Sequence, residues 1–596
     1  MALSKNEFAV LNALRTADPY TQRKLSDATG LSLGTVNSTL KELSERGYVA
    51  GGGSLTDSGL GALAPYKVDN AIIMAAGLAS RCAPLSYERP KGLFTVKGEV
   101  LIERQIRQLQ EAGINEIYVV VGYMKDLFFY LEDKYGVHIL VNDEYYRRNN
   151  TSSLYTARYF IRNSFICSSD NYFVVNPFCD YVYESYFACA CADEDTDEWC
   201  VKTGNHGRII EYGVGGHAGD WFQVGEFYWN KEFSRAYMDL LEAEYNQHEV
   251  EDMLLDAFFA KHIDELDAYV KKYKKGDILE FDTVEEIKQF DDKFIENMDS
   301  RIVENISSTL NCREDEATGF EQIKRGNTNI IFSFWCRGER YIYRHPGKGS
   351  ERIIDRQHEA FAQKCADDLG VDGTTVAIDP EHGWKISRYV KDCYDYEYHD
   401  KKDAKRVFEQ MHRLHDAKIK CAWSFDVAEN ARKYRALAEE NGYRSSFDLD
   451  SLRGDIQRVY HFFEADGVEK VLCHNDVCDT NIIPSSKAVY IIDWEYAGMS
   501  DPSFDVATYI IGGEHAEEEV DELLELYFGR ELSKAERAHM YAAIALTAYN
   551  YLLWGVFRQS VGHDAGSLLY YWYRYVNEYT QRALDLYASS DPLTIP

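Results

Sequence analysis

HNDVCDTN, residues 474–481, and AVYIIDWEY, residues 488–496, are the stretch on which the reading of this chain turns. Asp476, Asn481 and Asp493 bring oxygen donors of the kind a hard cation prefers, and VLCHND with AVYIIDWEY reads as a short hairpin-like pair. His474 reads as a hydrogen-bonding residue that shapes the loop. Upstream, NIIFSFW (329–335) and ERYIYRHPG (339–347) alternate with the period of strands. Helices follow, and the chain beyond 496 is helical and rich in aromatic residues. From about residue 300 to the end the expectation is a small β lobe followed by a larger helical lobe. The run IENMDSRIVENISSTLN (295–311) reads as a connecting helix, which leaves the boundary near 300 open.

This arrangement, over roughly residues 317–575, resembles the aminoglycoside phosphotransferase and choline kinase superfamily. The resemblance implies that Asp476 orients a substrate hydroxyl and accepts its proton, and that Asn481 and Asp493 hold Mg²⁺ on the phosphates of ATP. It implies that KRGNTN (324–329), with Asn327, turns over those phosphates. It also implies that Arg344 points at the α/β phosphates and pairs with Glu359 on the next helix. Protein kinases use Lys where this chain has Arg344. IIDWEYAGMSDPSFDVATYI (491–510) looks like the choline kinase subgroup, with DPSFD tying the loop to the following helix. A quaternary ammonium offers no hydrogen bond, so it needs aromatic faces and a nearby carboxylate. Trp494, Glu495, Trp554 and Trp572 are the candidates, with helix-core packing the competing role for each tryptophan.

A second glycine-bearing stretch, MAAGLASRCAPLSYERPKGL (74–93), follows the buried strand pattern NAIIMAAG. Gly77, flanked by Ala75 and Ala76, lets the backbone approach a phosphate. Arg81 offers a planar fork to phosphate oxygens, and Lys91 a point charge. An anionic phosphate attacking an α-phosphorus needs such neutralisation. Strands EIYVVVG and HILVN, separated by helical patterns, predict a parallel sheet with crossover helices. Ligands in such sheets sit at the carboxyl ends of the strands, here residues 75–91. The stretch resembles the sugar-phosphate nucleotidyltransferases, with Ala79 where that family usually has Gly. NDEYYRRNNTSSLYTA (142–157), VGEFYW (224–229) and EFDTVEEIKQF (280–290) resemble the bacterial CTP:phosphocholine cytidylyltransferases, and imply a substrate role for Asn150 and Ser152. The family's metal-binding aspartates are expected after a central strand, taken as YFVVNPFCDYVY. Asn176 and Phe178 stand at their places, so the metal candidates are Asp180 and, in EVEDMLLD, Asp252.

Residues 1–66 carry the helix, turn, helix pattern of a winged helix-turn-helix. Phe8, Leu11 and Leu14 form one apolar face, and Val36, Leu40 and Leu43 another. Thr21 caps a short helix that ends at Gly30, and residues 48–59 read as a β-wing. The segment resembles MarR-like regulators, which implies DNA contact around Thr35, Asn37, Ser38 and Lys41. Its balanced charges favour a docking module equally. The whole chain carries a net charge of −33, so it is expected to repel nucleic acid and anionic membranes at long range. No signal peptide or membrane span is expected, and the 13 cysteines lack a zinc-type spacing. Together these point to a reducing cytoplasm.

The expected fold is therefore multidomain, α/β and α+β: a winged helix (1–66), a Rossmann-like nucleotidyltransferase (70–299) and a bilobal kinase-like domain (300–596). The expected chemistry is phosphorylation of choline by ATP, then CMP transfer from CTP to phosphocholine. Two alternatives stand beside it. One is a kinase for another amino alcohol with a degenerate transferase. The other is a DNA-binding regulator that senses choline metabolites.

Overall fold

The computed structural model describes the chain apart from residues 1, 17–20, 52, 295–297, 299, 324–328, 348–353, 443–448, 562–565 and 590–596. It divides into two compact units, Met1–Ile302 and Val303–Pro596.

The first unit begins with three helices, Lys5–Thr16, Gln22–Thr29 and Leu33–Glu45. Their apolar faces close over Phe8, Leu11, Leu14, Leu25, Val36, Leu40 and Leu43. The Thr21 side chain accepts from the Lys24 amide, and Gly30 ends the helix at φ 68°. The wing is shorter than expected. Val49 and Leu55 form a single bridge, and Thr56 then caps a helix over Asp57–Leu63.

The rest of this unit is built on a nine-stranded mixed sheet. Strand Asn70–Ala75 is buried along its whole length and lies parallel to both Ile117–Val121 and Ser164–Ser168. His138–Val141 extends the parallel part, and Trp221–Trp229 runs antiparallel on the other side of Ser164–Ser168. Helix Leu101–Glu111 covers one face through Ile102, Ile106 and Leu109. The stretch taken as the central strand is not in this sheet. Only Asn171–Phe173 of it is extended, and it pairs with Ile278–Glu280. The strand beside Asn70–Ala75 is Ser164–Ser168, which moves the expected position of the acidic residues to Ser168–Asp170.

The second unit has a five-stranded antiparallel sheet in the order Ala317–Gln322, Ile330–Cys336, Glu339–His345, Lys385–Arg388, Thr375–Ile378. Helix Arg356–Leu369 follows its third strand; of the run 295–311, Arg301–Leu310 is helical. VLC and VYI are not each other's partners. Val471–Cys473 pairs with Gly498–Ser500, and Ile482–Pro484 with Val489–Ile491. The helical lobe is organised around Lys534–Ser560, which is buried along most of its length and packs on Leu568–Tyr587. Among the described residues this helix alone is long and apolar enough to cross a membrane, contrary to the expectation that no run approaches that length; 83% of its most apolar stretch is buried in the lobe.

Candidate active sites

At the kinase-type site, three short elements bring Asp476, Asn481 and Asp493 together. Asp505, at the start of helix Ser503–Gly512, accepts from the amides of His474 (3.0 Å) and Asn475 (2.6 Å) and is bound by His415 Nε2 at 2.8 Å. DPSFD thus anchors the loop. His474 Nδ1 accepts from the Asp476 amide (3.2 Å) and its Nε2 bonds the Ile492 carbonyl (2.9 Å), so His474 is the bracing residue expected and not a base. Asn481 Nδ2 donates to the Asp476 carboxylate and carbonyl, both at 2.9 Å. The Tyr551 hydroxyl donates to the other Asp476 carboxylate oxygen. Enclosure pushes the Asp476 carboxyl up to about 7; the bonds from Tyr551 and Asn481 pull it down, and the charges of Glu495 and Asp505 add to the rise.

Arg344 is buried and binds Glu359 (2.5 Å) and Asp493 (2.8 Å), as the order of residues implied, and also Glu495 at 3.3 Å. Arg356 bonds Glu359 and Glu495, both at 2.8 Å. Glu359, Asp493 and Glu495 place carboxylate oxygens within 4.8 Å of one another. Asp493 sits at φ 68°, a backbone conformation that persists only where the surroundings enforce it. Burial first, and then the charge of Glu495, push its carboxyl up to about 7 in spite of Arg344. A divalent cation on Asp493 and Asn481 would relieve that excess of confined negative charge, so the donors fit one. A cavity of about 440 Å³ adjoins them, lined by Ile331, Ile342 and Ile483, with Lys385 and Asp493 at its polar end. Asn327 lies outside the described residues.

Two residues expected around the substrate are placed elsewhere. Trp494 is fully buried, gives its Nε1–H to the Ile491 carbonyl (3.2 Å) and packs edge-on to His474. Glu495 belongs to the arginine cluster and accepts from Asn329 at 2.9 Å. Trp572 is buried in the core of the helical lobe, the competing role named for it, and Trp554 is half-buried against the same core; both reach the reacting loop only through Tyr551. Their rings are 6.1 Å apart, and Tyr551 stands 6.5 and 5.5 Å from them, which adds a third aromatic face that sequence reading missed. The spacing of Tyr551 and Trp554 on one helix, both near Trp572, was the available signal.

The transferase-type site forms at the carboxyl end of Asn70–Ala75. Lys91 is buried and its ammonium lies 2.7 Å from Asp170 and 3.9 Å from Asp282. Arg81 is exposed and bonds Asp282 at 2.9 Å. Gly92 makes this possible, because a Cβ there would meet the Ser169 side chain at 2.8 Å. Ala75 and Ala76 are buried, and the chain at Gly77 is open. Glu280 keeps surface exposure, yet its carboxyl is held well above the usual range, first by confinement in the cleft and then by Asp170 and Asp282. Asp170, Glu280 and Asp282 facing Lys91 form an oxygen-rich set that fits a hard cation.

Asp170 and Asp282 replace the two metal candidates named from sequence. Asp180 binds Arg15 at 2.5 Å, and its carbonyl accepts from the Val68 amide, just before the amino end of strand Asn70–Ala75. Asp252 is exposed; its carbonyl, not its carboxylate, accepts from Asn149. Asn150, through its side-chain oxygen, and Ser152, through its hydroxyl, bond to protein groups. Asn150 Oδ1 caps the Leu255 amide (2.7 Å), and Ser152 is buried between Asn142 and the Asn149 carbonyl. Ser152, buried with its hydroxyl committed, is corrected from a substrate contact to a positioning residue, while Asn150 is fixed through its Oδ1 alone.

Ala79 stands at φ 48°, ψ 46°. A left-handed L-residue costs roughly 1–2 kcal/mol, against about 0.4–1 kcal/mol of extra unfolded-state freedom for Gly. Ala79→Gly is therefore expected to stabilise the first unit by about 0.5–1 kcal/mol, read as a higher denaturant midpoint at unchanged slope. A lower midpoint would contradict the strain.

These two centres define a transferase, with one site for nucleotidyl transfer and one for phosphoryl transfer. The family model for choline/ethanolamine kinase matches residues 320–518, the MobA-like NTP transferase domain residues 71–244, and the winged helix-turn-helix DNA-binding domain residues 3–50. The choline-phosphate cytidylyltransferase of Streptococcus pneumoniae is 33% identical over 222 residues, 37% of this chain and 96% of that protein. The 2-aminoethylphosphonate cytidylyltransferase of Lancefieldella rimae is 33% identical over 234 residues, 38% of this chain and 93% of its own. The crystal structure of choline kinase LicA from Streptococcus pneumoniae is 26% identical, covering 48% of this chain and 98% of that one with a TM-score of 0.40. The chain belongs to the choline-phosphate cytidylyltransferase family, here joined to a kinase of the choline/ethanolamine type and preceded by a winged helix. Both enzyme families generally work with divalent metal ions.

Proposed function

We propose that the chain phosphorylates choline with ATP and then joins the phosphocholine to CMP from CTP, releasing pyrophosphate. The observation that carries the reading is the Asp476 carboxylate held by Asn481 and by the hydroxyl of Tyr551, whose ring has the half-buried Trp554 as its neighbour. That combination places a proton acceptor next to aromatic faces suited to a quaternary ammonium. Asp476 would take the hydroxyl proton as that oxygen attacks the γ-phosphorus and the bond to the β,γ-bridging oxygen breaks, releasing ADP. Arg344 and Lys385 would steady the phosphates, and Asp493 and Asn481 would hold Mg²⁺, which supplies charge neutralisation when bound. In the first unit Lys91 and Arg81 would offset charge on the triphosphate, and Asp170 with Asp282 would hold the second Mg²⁺. The unpaired state of all thirteen cysteines supports a cytoplasmic setting. On the winged helix, Asn37, Ser38 and Lys41 are exposed, and we assign this face a weak, salt-sensitive DNA contact.

The test is incubation with choline, ATP, CTP and Mg²⁺, followed by phosphorus NMR. Phosphocholine should appear first and CDP-choline second. Ethanolamine in the first step and 2-aminoethylphosphonate in the second are the competitors. A higher kcat/KM for either competitor would reassign that site's substrate. Phosphocholine that accumulates with no CDP ester would leave the kinase half alone.

The same site makes a pH prediction. Asp476 accepts a proton only when ionised, so kcat/KM for choline should rise with pH up to about 7 and then level. Tyr551 stabilises the ionised form. A charge-assisted bond is worth about 1.5–3 kcal/mol, so Tyr551→Phe should move the acid limb upward by about one to two pH units. An unmoved limb would mean that another group controls the profile.

A further inference from the structure

We propose that His399, His515 and Glu519 form a transition-metal site in the helical lobe of the second unit, with Zn²⁺ as its ion. One donor atom from each side chain lies within 4.8 Å of the other two. Glu519 Oε1 stands 2.5 Å from His399 Nδ1 and 3.2 Å from His515 Nδ1. Ligand atoms around a tetrahedral Zn²⁺ with bonds near 2.0–2.2 Å are about 3.3 Å apart, so small side-chain shifts would admit the ion. Two imidazoles and one carboxylate are a three-ligand set that leaves a fourth position for water. Imidazole nitrogen also favours zinc over Mg²⁺.

The observation that lifts this above an ordinary surface pair is His515. Its side chain has no exposed surface, and neither ring nitrogen makes a hydrogen bond of acceptable direction. Buried imidazoles ordinarily find a partner. The Nε2 side is closed by backbone, since a Cβ on Gly513 would lie 2.3 Å from that nitrogen. Nδ1 is therefore the open donor, and it faces Glu519. The backbone of His515 is pinned, with its amide donating to Tyr575 Oη at 3.0 Å. The three ligands come from two separate stretches of chain. His515 and Glu519 span the entry to helix Glu517–Phe528, and His399 follows Tyr398, whose hydroxyl accepts from the Asp479 amide at 2.7 Å. Asp479 lies within the reacting loop, so a bound ion would fasten the segment that touches this loop to the helical lobe. None of the three is among the phosphate or substrate groups assigned above, and the inference stands apart from the choice of substrate.

The experiment uses the full chain stripped of metal by a chelator and held in excess Mg²⁺ to occupy the oxygen-rich sites. Zn²⁺ is titrated against a chromophoric zinc chelator, with His399→Ala and Glu519→Gln alongside. His399 is exposed, so His399→Ala should fold normally, checked by melting in the absence of zinc. The expected result is one tightly held Zn²⁺ per chain, weakened about 10- to 100-fold or more in each variant. Co²⁺ in its place should give visible absorption bands that His399→Ala lacks. A wild-type chain that holds no Zn²⁺ under these conditions overturns the proposal. So does equal affinity in wild type and His399→Ala, which would place the ion elsewhere.

Discussion

Asp476→Asn is expected to lower phosphorylation turnover by about 10²–10⁴-fold, the range in which a positioned proton acceptor contributes. CMP transfer to supplied phosphocholine should be unchanged. Asparagine keeps the shape of the side chain and an oxygen for the Tyr551 hydroxyl; its NH2 then faces the Asn481 donor, which keeps its bond to the backbone carbonyl of residue 476. What it loses is the capacity to take a proton. In the wild type Tyr551 and Asn481 grip the two carboxylate oxygens, so the group is oriented before substrate arrives. Separate assays of the two half-reactions check the result. Turnover within a few-fold of wild type would show that Asp476 only shapes the pocket.

Lys91→Met is expected to lower the second half-reaction by about 10²–10³-fold, the scale of one lost charge-stabilising donor, and to spare the kinase. Lys91 is buried against Asp170 and pinned by the turn at Gly92, so its charge needs little rearrangement to meet a triphosphate. Asp170→Asn separates charge neutralisation from cation binding. Its loss should be partly recovered by raising Mg²⁺, whereas that of Lys91→Met should not. Equal rescue of both would merge the two roles.

The kinase half was readable because Asp476, Asn481 and Asp493 lie on one loop, hairpin and strand end, where local chain geometry suffices. The Arg344–Glu359 pair followed from element order. The transferase carboxylates were not readable in the same way. SFICS and YFVV both look like strands, and which one borders Asn70–Ala75 is a matter of sheet order. Asp170 ends the true neighbour and was passed over, while Asp180 is taken by Arg15, 165 residues away. Trp494 and Glu495 illustrate a different limit. They follow Asp493, whose left-handed backbone turns the chain, so one side chain enters the core and the other the arginine cluster. Asn150 and Ser152 match a family stretch, but nothing in their spacing shows that the Asn150 side-chain oxygen meets the Leu255 amide or that the Ser152 hydroxyl is spent on the Asn149 carbonyl.

The winged helix is not hung on a free tether. Phe8 and Tyr66 meet Tyr183, with Tyr66 and Tyr183 stacked at 5.4 Å between ring centres. Arg15 lies over the Tyr181 ring while binding Asp180, and Lys5 pairs with Glu184. A chain trimmed to start after residue 66 would therefore bare Tyr181, Tyr183 and an orphaned Asp180 beside the amino end of strand Asn70–Ala75. Such a fragment should clump where the intact polypeptide stays dispersed, and the first 66 residues serve as a cover that the enzyme carries whether or not they ever read a gene.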